Sequence, residues 1–407
     1  MQDGDGVREH HRPIVARSGP RRNALCRDGA GASLAAVRVL VVASPLTGHV
    51  LPLVPLALAL RDAGAEVVVA TAGDGVAVCP PQLSPTDVAP GLRLGPLFGR
   101  IMLRHPLLAR RELAGRGGTT AVGLLFGALG ARTAAGTVAL ADRWRPDLVV
   151  HEPLAPAGVE AAARLDVPAV LVEGNLFDAG RLRDAALAVY APARGLTAPP
   201  PPVETVTTAP PSLVGPREGR PVRFLPWAPD RPFDERYARP GIRPRVLVSR
   251  STVSSPGRDR LMADVAAAAA GTGLDVVLVR PERWVTRRRL PPQVTTTDWL
   301  PFPRVLPAAA GVVHHGGAGT LLTALAAGTP QLVVRGAGDR RTNADLVAAR
   351  GAGIAVDPGG VTAAVLERLV GDPGLAGAAR EVAAEMAAMP APAEVVPRLL
   401  DLAGAGR

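Results

Sequence analysis

The chain predicts an α/β fold in which two parallel-sheet halves follow one another and face each other across a cleft. Two observations lead to this prediction. Short continuous apolar runs, typical of parallel strands covered on both faces, alternate with longer helical segments. The alternation occurs twice along the 407 residues, and a proline-rich stretch separates the two series. Open parallel sheets bind ligands beyond the carboxyl ends of their strands, so the cleft is the expected site.

The first half is predicted to cover residues 37–225. Its predicted elements are strands 37–43, 66–70, 147–150 and 168–172, and helices 50–63, 119–143 and 156–165. The stretch 75–118 is rich in Pro and Gly and predicts an irregular insertion of loops and helices. Residues 1–36 have no periodicity and predict a disordered tail or a misassigned start. The misassigned start is favoured, because the first strand begins abruptly at Val37.

The second half is predicted to cover residues 244–390, after a linker at 226–243 in a region of dense proline. Its predicted elements are strands 245–249, 275–279, 311–314 and 331–334, and helices 258–271, 318–327, 341–350 and 361–371. A C-terminal helix is predicted within 391–407.

Composition and charge argue against a nucleic-acid partner and a metal centre. The net charge is +10, but aromatic residues make up only 3% and no basic stretch is interleaved with stacking residues. The densest basic cluster, Arg283 with residues 287–289, is interpreted as a solvated loop. Cys26 and Cys79 are too few for a disulfide framework or a Cys-rich zinc site, which fits a reducing cytoplasm.

The uncharged segment from Val39 to Leu60 is long enough to cross a bilayer. Its middle contains Pro45, Gly48 and Pro52, which are typical of a turn and a helix start. We therefore predict a strand, a loop and a helix here, and a soluble cytoplasmic protein with no membrane partner.

The strongest motif runs from Val312 to Thr320, where a predicted strand ends in His314, His315 and a glycine-rich turn that enters a helix. Free amides and the helix dipole at such a turn favour an anion such as pyrophosphate. Tight packing is the alternative explanation of these glycines. A metal site at the two histidines is disfavoured, because adjacent residues on a strand point to opposite faces.

The second motif is Gly48-His49, in the first loop between a strand and a helix. A histidine there lies at the carboxyl end of its strand and faces the cleft. An imidazole that titrates near neutrality is a suitable general base for a hydroxyl. A packing or capping role for His49 stays open from position alone.

Together these segments resemble the actinobacterial branch of the nucleotide-sugar glycosyltransferases, which includes macrolide and enediyne tailoring enzymes. The resemblance covers residues 37–405. It rests on ASPLTGHVLPLVPLALAL at 43–60, RPDLVVHEPLAPAG at 145–158, HHGGAGTLLTALAAGTPQLV at 314–333, GDRRTNAD at 338–345 and EMAAMPAPAEVVPRL at 385–399. It implies the GT-B architecture, two facing Rossmann-like domains with an interdomain cleft. The N-terminal domain would bind the acceptor and the C-terminal domain the nucleotide-sugar donor.

The resemblance also implies roles for individual residues. His49 matches the catalytic base, and Glu152 matches the acidic partner that orients it. The donor-side matches are Thr252, Trp299, His315, Gly316, Gly317, Gly319, Thr320, Asp339, Arg340 and Asn343. Among these, His315, Thr320 and the glycine amides would hold pyrophosphate, Trp299 would lie near the base, and Asp339 would reach the sugar hydroxyls.

Three positions depart from the family pattern. Arg340 follows Asp339 where many relatives have Gln, which puts recognition of a common hexose in doubt. Thr323 stands near the position of a ribose-binding Glu in plant relatives, and a deoxyribose donor such as a dTDP-sugar would tolerate that loss. Ser251 replaces a Gly that is common in the donor loop.

The resulting hypothesis is an inverting, metal-independent glycosyltransferase that uses a nucleotide sugar, dTDP-linked rather than UDP-linked, with no other cofactor. The acceptor would be a small hydrophobic aglycone, with Phe98, Met102 and Phe126 as candidate pocket residues beside the alternative of core packing. A sugar-nucleotide epimerase and a non-catalytic GT-B partner or activator are the alternatives. The sequence leaves open an auxiliary protein and a homodimer.

Overall fold

Two parallel β-sheets form the framework of the protein. The computed structural model describes residues 36–197, 199–251 and 259–404. The first sheet has the strand order β3-β2-β1-β4-β5-β6-β7, and the second has the order β10-β9-β8-β11-β12-β13. The strands are β1 Arg38–Val42, β2 Glu66–Thr71, β3 Pro85–Asp87, β4 Leu148–His151, β5 Ala169–Val172, β6 Glu204–Thr207, β7 Arg220–Pro221, β8 Arg245–Ser249, β9 Asp275–Val279, β10 Val294–Thr297, β11 Gly311–His314, β12 Gln331–Val334 and β13 Gly353–Val356.

Helices connect the strands, as parallel pairing requires. The α-helices are α1 Thr47–Val50, α2 Val54–Asp62, α3 Asp74–Val78, α4 Leu94–Arg104, α5 Pro106–Leu113, α6 Gly118–Trp144, α7 Pro156–Leu165, α8 Ala179–Arg194, α9 Pro211–Val214, α10 Leu261–Ala269, α11 Arg283–Thr286, α12 Phe302–Val305, α13 Ala318–Ala326, α14 Arg340–Arg350, α15 Ala363–Gly371, α16 Pro373–Ala388 and α17 Pro392–Gly404. Short 3₁₀ turns occupy Leu51–Leu53, Pro81–Leu83, Glu235–Ala238 and Leu306–Ala308.

The α/β prediction with two parallel sheets is confirmed, and all eight predicted strands are present within two residues of their expected bounds. The predicted helix at 50–63 is broken into α1, a 3₁₀ turn and α2, because Pro52 and Pro55 interrupt the backbone hydrogen bonding. The insertion 75–118 contains α3, β3, α4 and α5. The predicted disordered tail or misassigned start at 1–36 lies, except for Ala36, outside the described residues.

The two sheets are joined by a shared apolar cluster and by the end of the chain. Leu176, Leu213 and Phe224 from the first sheet's connections pack with Leu321 and Leu322 of α13. Helix α17 returns to the first half and packs on α2. Its buried residues Val395, Val396, Leu399 and Ala403 belong to the core beneath the first sheet.

Helix α6 is the one described helix long and apolar enough to cross a membrane. A helix in the core of a globular domain has the same properties, so this is weak evidence for a membrane span. One face of α6 packs on α7 and α8, with Ala121, Leu129 and Ala134 buried.

Candidate active site

The carboxyl ends of β1 and β4 bring His49 and Glu152 together. Val42 at the end of β1 pairs with His151 at the end of β4, so the residues that follow both strands share one edge of the sheet. His49 lies on α1 after β1, and its Nδ1 is 3.3 Å from Oε1 of Glu152. Glu152 is buried, and it also accepts hydrogen bonds from the backbone N–H groups of Ser44 (3.1 Å) and Leu154 (2.7 Å).

The pair has the charge distribution of a general base and its orienting carboxylate. Burial lowers the pKa of His49, but the attraction and hydrogen bond of Glu152, with a contribution from Asp339, outweigh it and leave that pKa raised. Burial raises the pKa of Glu152, but His49 and the hydrogen bonds from Leu154 and Ser44 leave it lowered. With Nδ1 on the carboxylate, Nε2 is the imidazole nitrogen that can accept a proton.

Aromatic side chains border His49 on the side of the first half. The ring of Phe126, from α6, lies 4.9 Å from the imidazole of His49 between centroids. Phe98, from α4, lies 6.3 Å from Phe126. Met102 is half-buried one turn further along α4. Of the three predicted acceptor residues, Phe98 and Phe126 thus form one aromatic surface that reaches the base.

The glycine turn after β11 leaves the N-terminus of α13 open. Gly316 has φ +84°, and a Cβ there would lie 2.8 Å from the carbonyl oxygen of Arg340, so both conformation and space require glycine. Among the described residues, no side chain caps the N-terminus at Gly317, and a Cβ on Gly319 would meet no heavy atom within 4 Å. The first amides of α13, including that of Thr320, are therefore available to an anion.

His314, which the sequence analysis assigned no role in the site, holds this turn in place. Its Nδ1 accepts a hydrogen bond from the N–H of Gly316 at 3.0 Å, so Nε2 carries the proton and donates to Oε1 of Gln331 at 2.8 Å. The side chain is fully buried, and burial lowers its pKa to about 4. The sequence feature that could have indicated this role is the alternation of side-chain direction along β11, which turns one of the two adjacent histidines inward.

His315 is neutral as well. Burial, followed by the positive charge of Arg340, lowers its pKa well below the ordinary value, against a hydrogen bond to the backbone of Ser249. Its Nδ1 is buried and has no hydrogen-bond partner among the described residues. His315 therefore offers a ligand a neutral imidazole and not a cation.

Asn343 links Asp339 to the glycine turn through two hydrogen bonds. Its Nδ2 donates to the carbonyl oxygen of Gly316 at 2.9 Å and to Oδ2 of Asp339 at 2.8 Å. Burial raises the pKa of Asp339, opposed by Asn343, Arg340 and His49. Asp339 in turn contributes to the raised pKa of His49.

Glu112, at the end of α5, is a carboxylate of this region that the sequence analysis missed. A Cβ on Gly338 would lie 3.4 Å from Oε1 of Glu112, and its Oε2 is buried without a hydrogen-bond partner among the described residues. Burial, together with the charge of Asp339, raises the pKa of Glu112. The first half thus contributes an acidic group beside Asp339.

Trp299, a predicted donor residue, has its contacts in another part of the second half. Trp299 contacts Phe233 edge-on at 6.3 Å between centroids. It lines a cavity of about 250 Å³ together with Pro301, Pro303, Arg304 and the predicted linker residues 226–231. Thr252 lies outside the described residues. Within the described part of the chain, no group of three or more His, Cys, Asp or Glu side chains could hold a metal ion.

Comparison with known proteins shows the family to which the chain belongs. Residues 58–205 match the N-terminal domain, and residues 262–402 the C-terminal domain, of the family described as erythromycin biosynthesis protein CIII-like. The elloramycin glycosyltransferase of Streptomyces olivaceus is 37% identical over 89% of this chain and 97% of its own length. The chain belongs to this family.

Solved structures of glycosyltransferases have the same fold. SnogD from Streptomyces nogalater is 32% identical with a TM-score of 0.75, covering 91% of this chain and all of that one. SsfS6 from Streptomyces sp. SF2575, solved with thymidine diphosphate, is 29% identical with a TM-score of 0.75, covering 90% and 99%. The predicted GT-B fold and glycosyltransferase activity of this CIII-like family member are confirmed, and it is a glycosyltransferase of natural-product biosynthesis.

Proposed function

We propose that this CIII-like glycosyltransferase moves a deoxysugar from a dTDP-linked donor to a hydroxyl of a small hydrophobic acceptor, with inversion at the anomeric carbon. It would act in the cytoplasm and need no metal or other cofactor besides the nucleotide sugar. The observation that carries the proposal is the His49–Glu152 pair, whose Nδ1 and Oε1 atoms are 3.3 Å apart.

The acceptor step follows from that pair. Nε2 of His49 takes the proton of the acceptor hydroxyl while the hydroxyl oxygen attacks the anomeric carbon on the face opposite the diphosphate. Glu152 holds the imidazole in one tautomer and stabilises the imidazolium that forms. Phe126 and Phe98 would pack against an apolar aglycone beside the base.

The donor step uses the open N-terminus of α13. As the bond between the anomeric carbon and the phosphate oxygen breaks, its electron pair leaves with the diphosphate. The amides of α13, Thr320 and His315 are arranged before the reaction to receive that charge. Asp339, held by Asn343, would bind the sugar hydroxyls.

Two observations favour a dTDP-linked donor. The relative SsfS6 was solved with thymidine diphosphate. The hydroxyl of Thr323 donates to the carbonyl oxygen of Gly319 at 2.6 Å, so it stays within its own helix and offers no carboxylate to a ribose 2′-hydroxyl.

A calorimetric titration of dTDP and UDP into the wild type, His315→Ala and His49→Ala tests this assignment. We expect dTDP to bind more tightly than UDP. His315→Ala should weaken dTDP binding, because a donor to the diphosphate is lost. His49→Ala should bind dTDP like the wild type, but transfer from a dTDP-sugar should fall by about 10²- to 10⁴-fold, the usual contribution of a general base.

Failure of the folded wild type to bind either nucleotide would refute the donor assignment. Binding of a dTDP-sugar without transfer to any of a panel of aromatic polyketide and macrolactone acceptors would favour a non-catalytic partner instead. Circular dichroism of each variant is the control for folding.

A further inference from the structure

Two of the positions that depart from the family pattern are in contact. Nη2 of Arg340 donates a hydrogen bond to Oγ of Ser251 at 2.8 Å, although the residues are 89 positions apart. Arg340 begins α14, and Ser251 lies in the loop that follows β8. Arg340 and Ser251 thus follow the carboxyl ends of β12 and β8 in the second sheet, where the donor site is proposed.

The guanidinium of Arg340 has no close counter-ion among the described residues. Among the described residues no carboxylate lies within 4.0 Å of it, although the side chain is half-buried. Asp339 and Asp259 act on it only at longer range. Residues 252–258, which lie outside the described part of the chain, contain no Asp or Glu in their sequence. A partly buried cation without a paired anion is unfavourable, so this arrangement points to an anionic ligand.

The position of Arg340 identifies which part of the donor it can reach. A Cβ on Gly316 in the glycine turn would lie 2.8 Å from the backbone carbonyl oxygen of Arg340, and the charge of Arg340 contributes to the lowered pKa of His315. His314 and His315 are both neutral, so neither imidazole supplies positive charge to a diphosphate. Arg340 supplies a full positive charge beside the open amides of α13.

We propose that Arg340, held in place by Ser251, binds the diphosphate of the nucleotide-sugar donor and not its sugar. This inference rests on the proposed donor site. The guanidinium adds charge-assisted hydrogen bonds to the phosphate oxygens, which a glutamine at this position cannot do. Its attraction for the diphosphate grows as the leaving group gains negative charge, so it stabilises the transition state as well as the bound donor. Ser251 is a positioning residue, because it fixes one N–H of the guanidinium.

The test is a titration of thymidine, dTMP, dTDP, UDP and a dTDP-sugar into the wild type, Arg340→Gln, Arg340→Lys, Ser251→Gly and the double variant Arg340→Gln/Ser251→Gly. Arg340→Gln should weaken dTDP binding by about 10- to 100-fold and leave thymidine binding unchanged, because only the charged hydrogen bonds are lost. Arg340→Lys should retain part of the affinity for dTDP. The matched control, Arg350→Gln, removes one charge from the same helix at a surface pair with Glu381 and should bind dTDP like the wild type.

The double variant measures whether Arg340 and Ser251 affect dTDP binding through the same interaction. Ser251→Gly alone should weaken dTDP binding several-fold, but adding it to Arg340→Gln should cost little more, because both changes remove one interaction. The dependence of dTDP affinity on salt concentration should be steeper for the wild type than for Arg340→Gln.

Each alternative gives a different result. Equal losses of thymidine and dTDP in Arg340→Gln would overturn the inference in favour of a structural role. Unchanged dTDP binding with weakened binding of the dTDP-sugar would overturn it in favour of sugar recognition. If the wild type binds neither dTDP nor UDP, the proposed function itself fails, and the wild-type titration separates that result from the other two.

Discussion

His49 and His315 have the same side chain but opposite electrostatic environments. Glu152 leaves the pKa of His49 raised despite its burial, whereas burial and Arg340 drive the pKa of His315 well below the ordinary value. One histidine is therefore suited to take up a proton in the reaction and the other to remain neutral beside a diphosphate. Residue type alone does not distinguish them, and the neighbouring charges do.

Replacing Glu152 with Gln should move the pH profile of transfer. Histidine accepts a proton only when neutral, so kcat falls as the pH drops below the pKa of His49. Without the carboxylate, burial lowers that pKa, and the acidic limb of the kcat profile should move to lower pH. The plateau should also fall, by at most about 10²- to 10⁴-fold, because the imidazolium loses its counter-ion.

Steady-state kinetics between pH 5 and pH 9 measure both effects. The exposed Glu66, at the start of β2, provides the control: Glu66→Gln removes the same charge from the same domain and should leave the profile in place. If the acidic limb of the kcat profile lies at the same pH in Glu152→Gln as in the wild type, a group other than His49 determines that limb.

The sequence predicts some site residues and misses others for a physical reason. His49 is predicted from its place after the first strand, and Glu152 only from the family resemblance. In the structure both follow strands with clear apolar runs, which brings them to one sheet edge. The Arg340–Ser251 bond and the approach of Glu112 to Gly338 join loops far apart in the chain. Such contacts depend on how the loops fold, which the period of apolar residues does not encode.

At the scale of elements, the five strands that the sequence did not predict lie towards the edges of the sheets. They are β3, β6, β7, β10 and β13. The eight predicted strands are mainly central and apolar on both faces. Four of the five unpredicted strands carry polar residues, as in Val294–Thr297, where only Val294 is buried, so a search for continuous apolar runs misses them. The fifth, β13, is apolar, but only its first residue is buried.

The close packing of α6 on α8 depends on glycines in α6. A Cβ on Gly127 would lie 2.7 Å from Cβ of Val189 and 2.8 Å from the carbonyl oxygen of Ala186. Gly127→Ala should therefore lower the free energy of unfolding by about 1–3 kcal/mol through overpacking, although alanine favours a helix. Urea denaturation followed by circular dichroism measures the change.

Gly377 in α16 is the matched control. A Cβ there would meet no heavy atom within 4 Å. Gly377→Ala should raise the free energy of unfolding by about 0.5–1 kcal/mol, because only the helix preference changes. A Gly127→Ala variant as stable as Gly377→Ala would show that α6 and α8 can separate without cost.

At the scale of the whole molecule, the apolar core sets the distance between the glycine turn and His49. Helix α13, which begins at the glycine turn, packs through Leu321 and Leu322 against Leu176 and Phe224 of the first half. Helix α17 then returns the chain to the first core. The glycine turn and His49 are thus positioned by buried apolar contacts between the two halves, and not by polar residues alone.

The stability of the whole chain should fall in mild acid because histidines are buried in the neutral form. Burial lowers the pKa values of His151 and His314 to about 4, against 6.5 for the unfolded chain. The unfolded state therefore binds more protons as the pH falls from about 6.5 towards 4, and stability is lost in that window. His49 acts in the opposite sense. Because its pKa is raised in the folded protein, it stabilises the fold at low pH, and this stabilisation is lost as the pH rises through the pKa of His49.

Replacing His314 with Gln isolates one of these contributions. Each buried neutral histidine should cost about 2 kcal/mol of stability between pH 7 and pH 5, because one more proton binds on unfolding. His314→Gln should be less stable than the wild type at pH 7, since it disturbs the bonds to Gly316 and Gln331, yet lose less stability on acidification. Urea denaturation at both pH values gives the difference, with His105→Gln, at an exposed position, as the control that keeps the wild-type slope. A wild-type slope in His314→Gln would mean that His314 is already protonated in the folded protein, and its hydrogen bond from Gly316 would then be excluded.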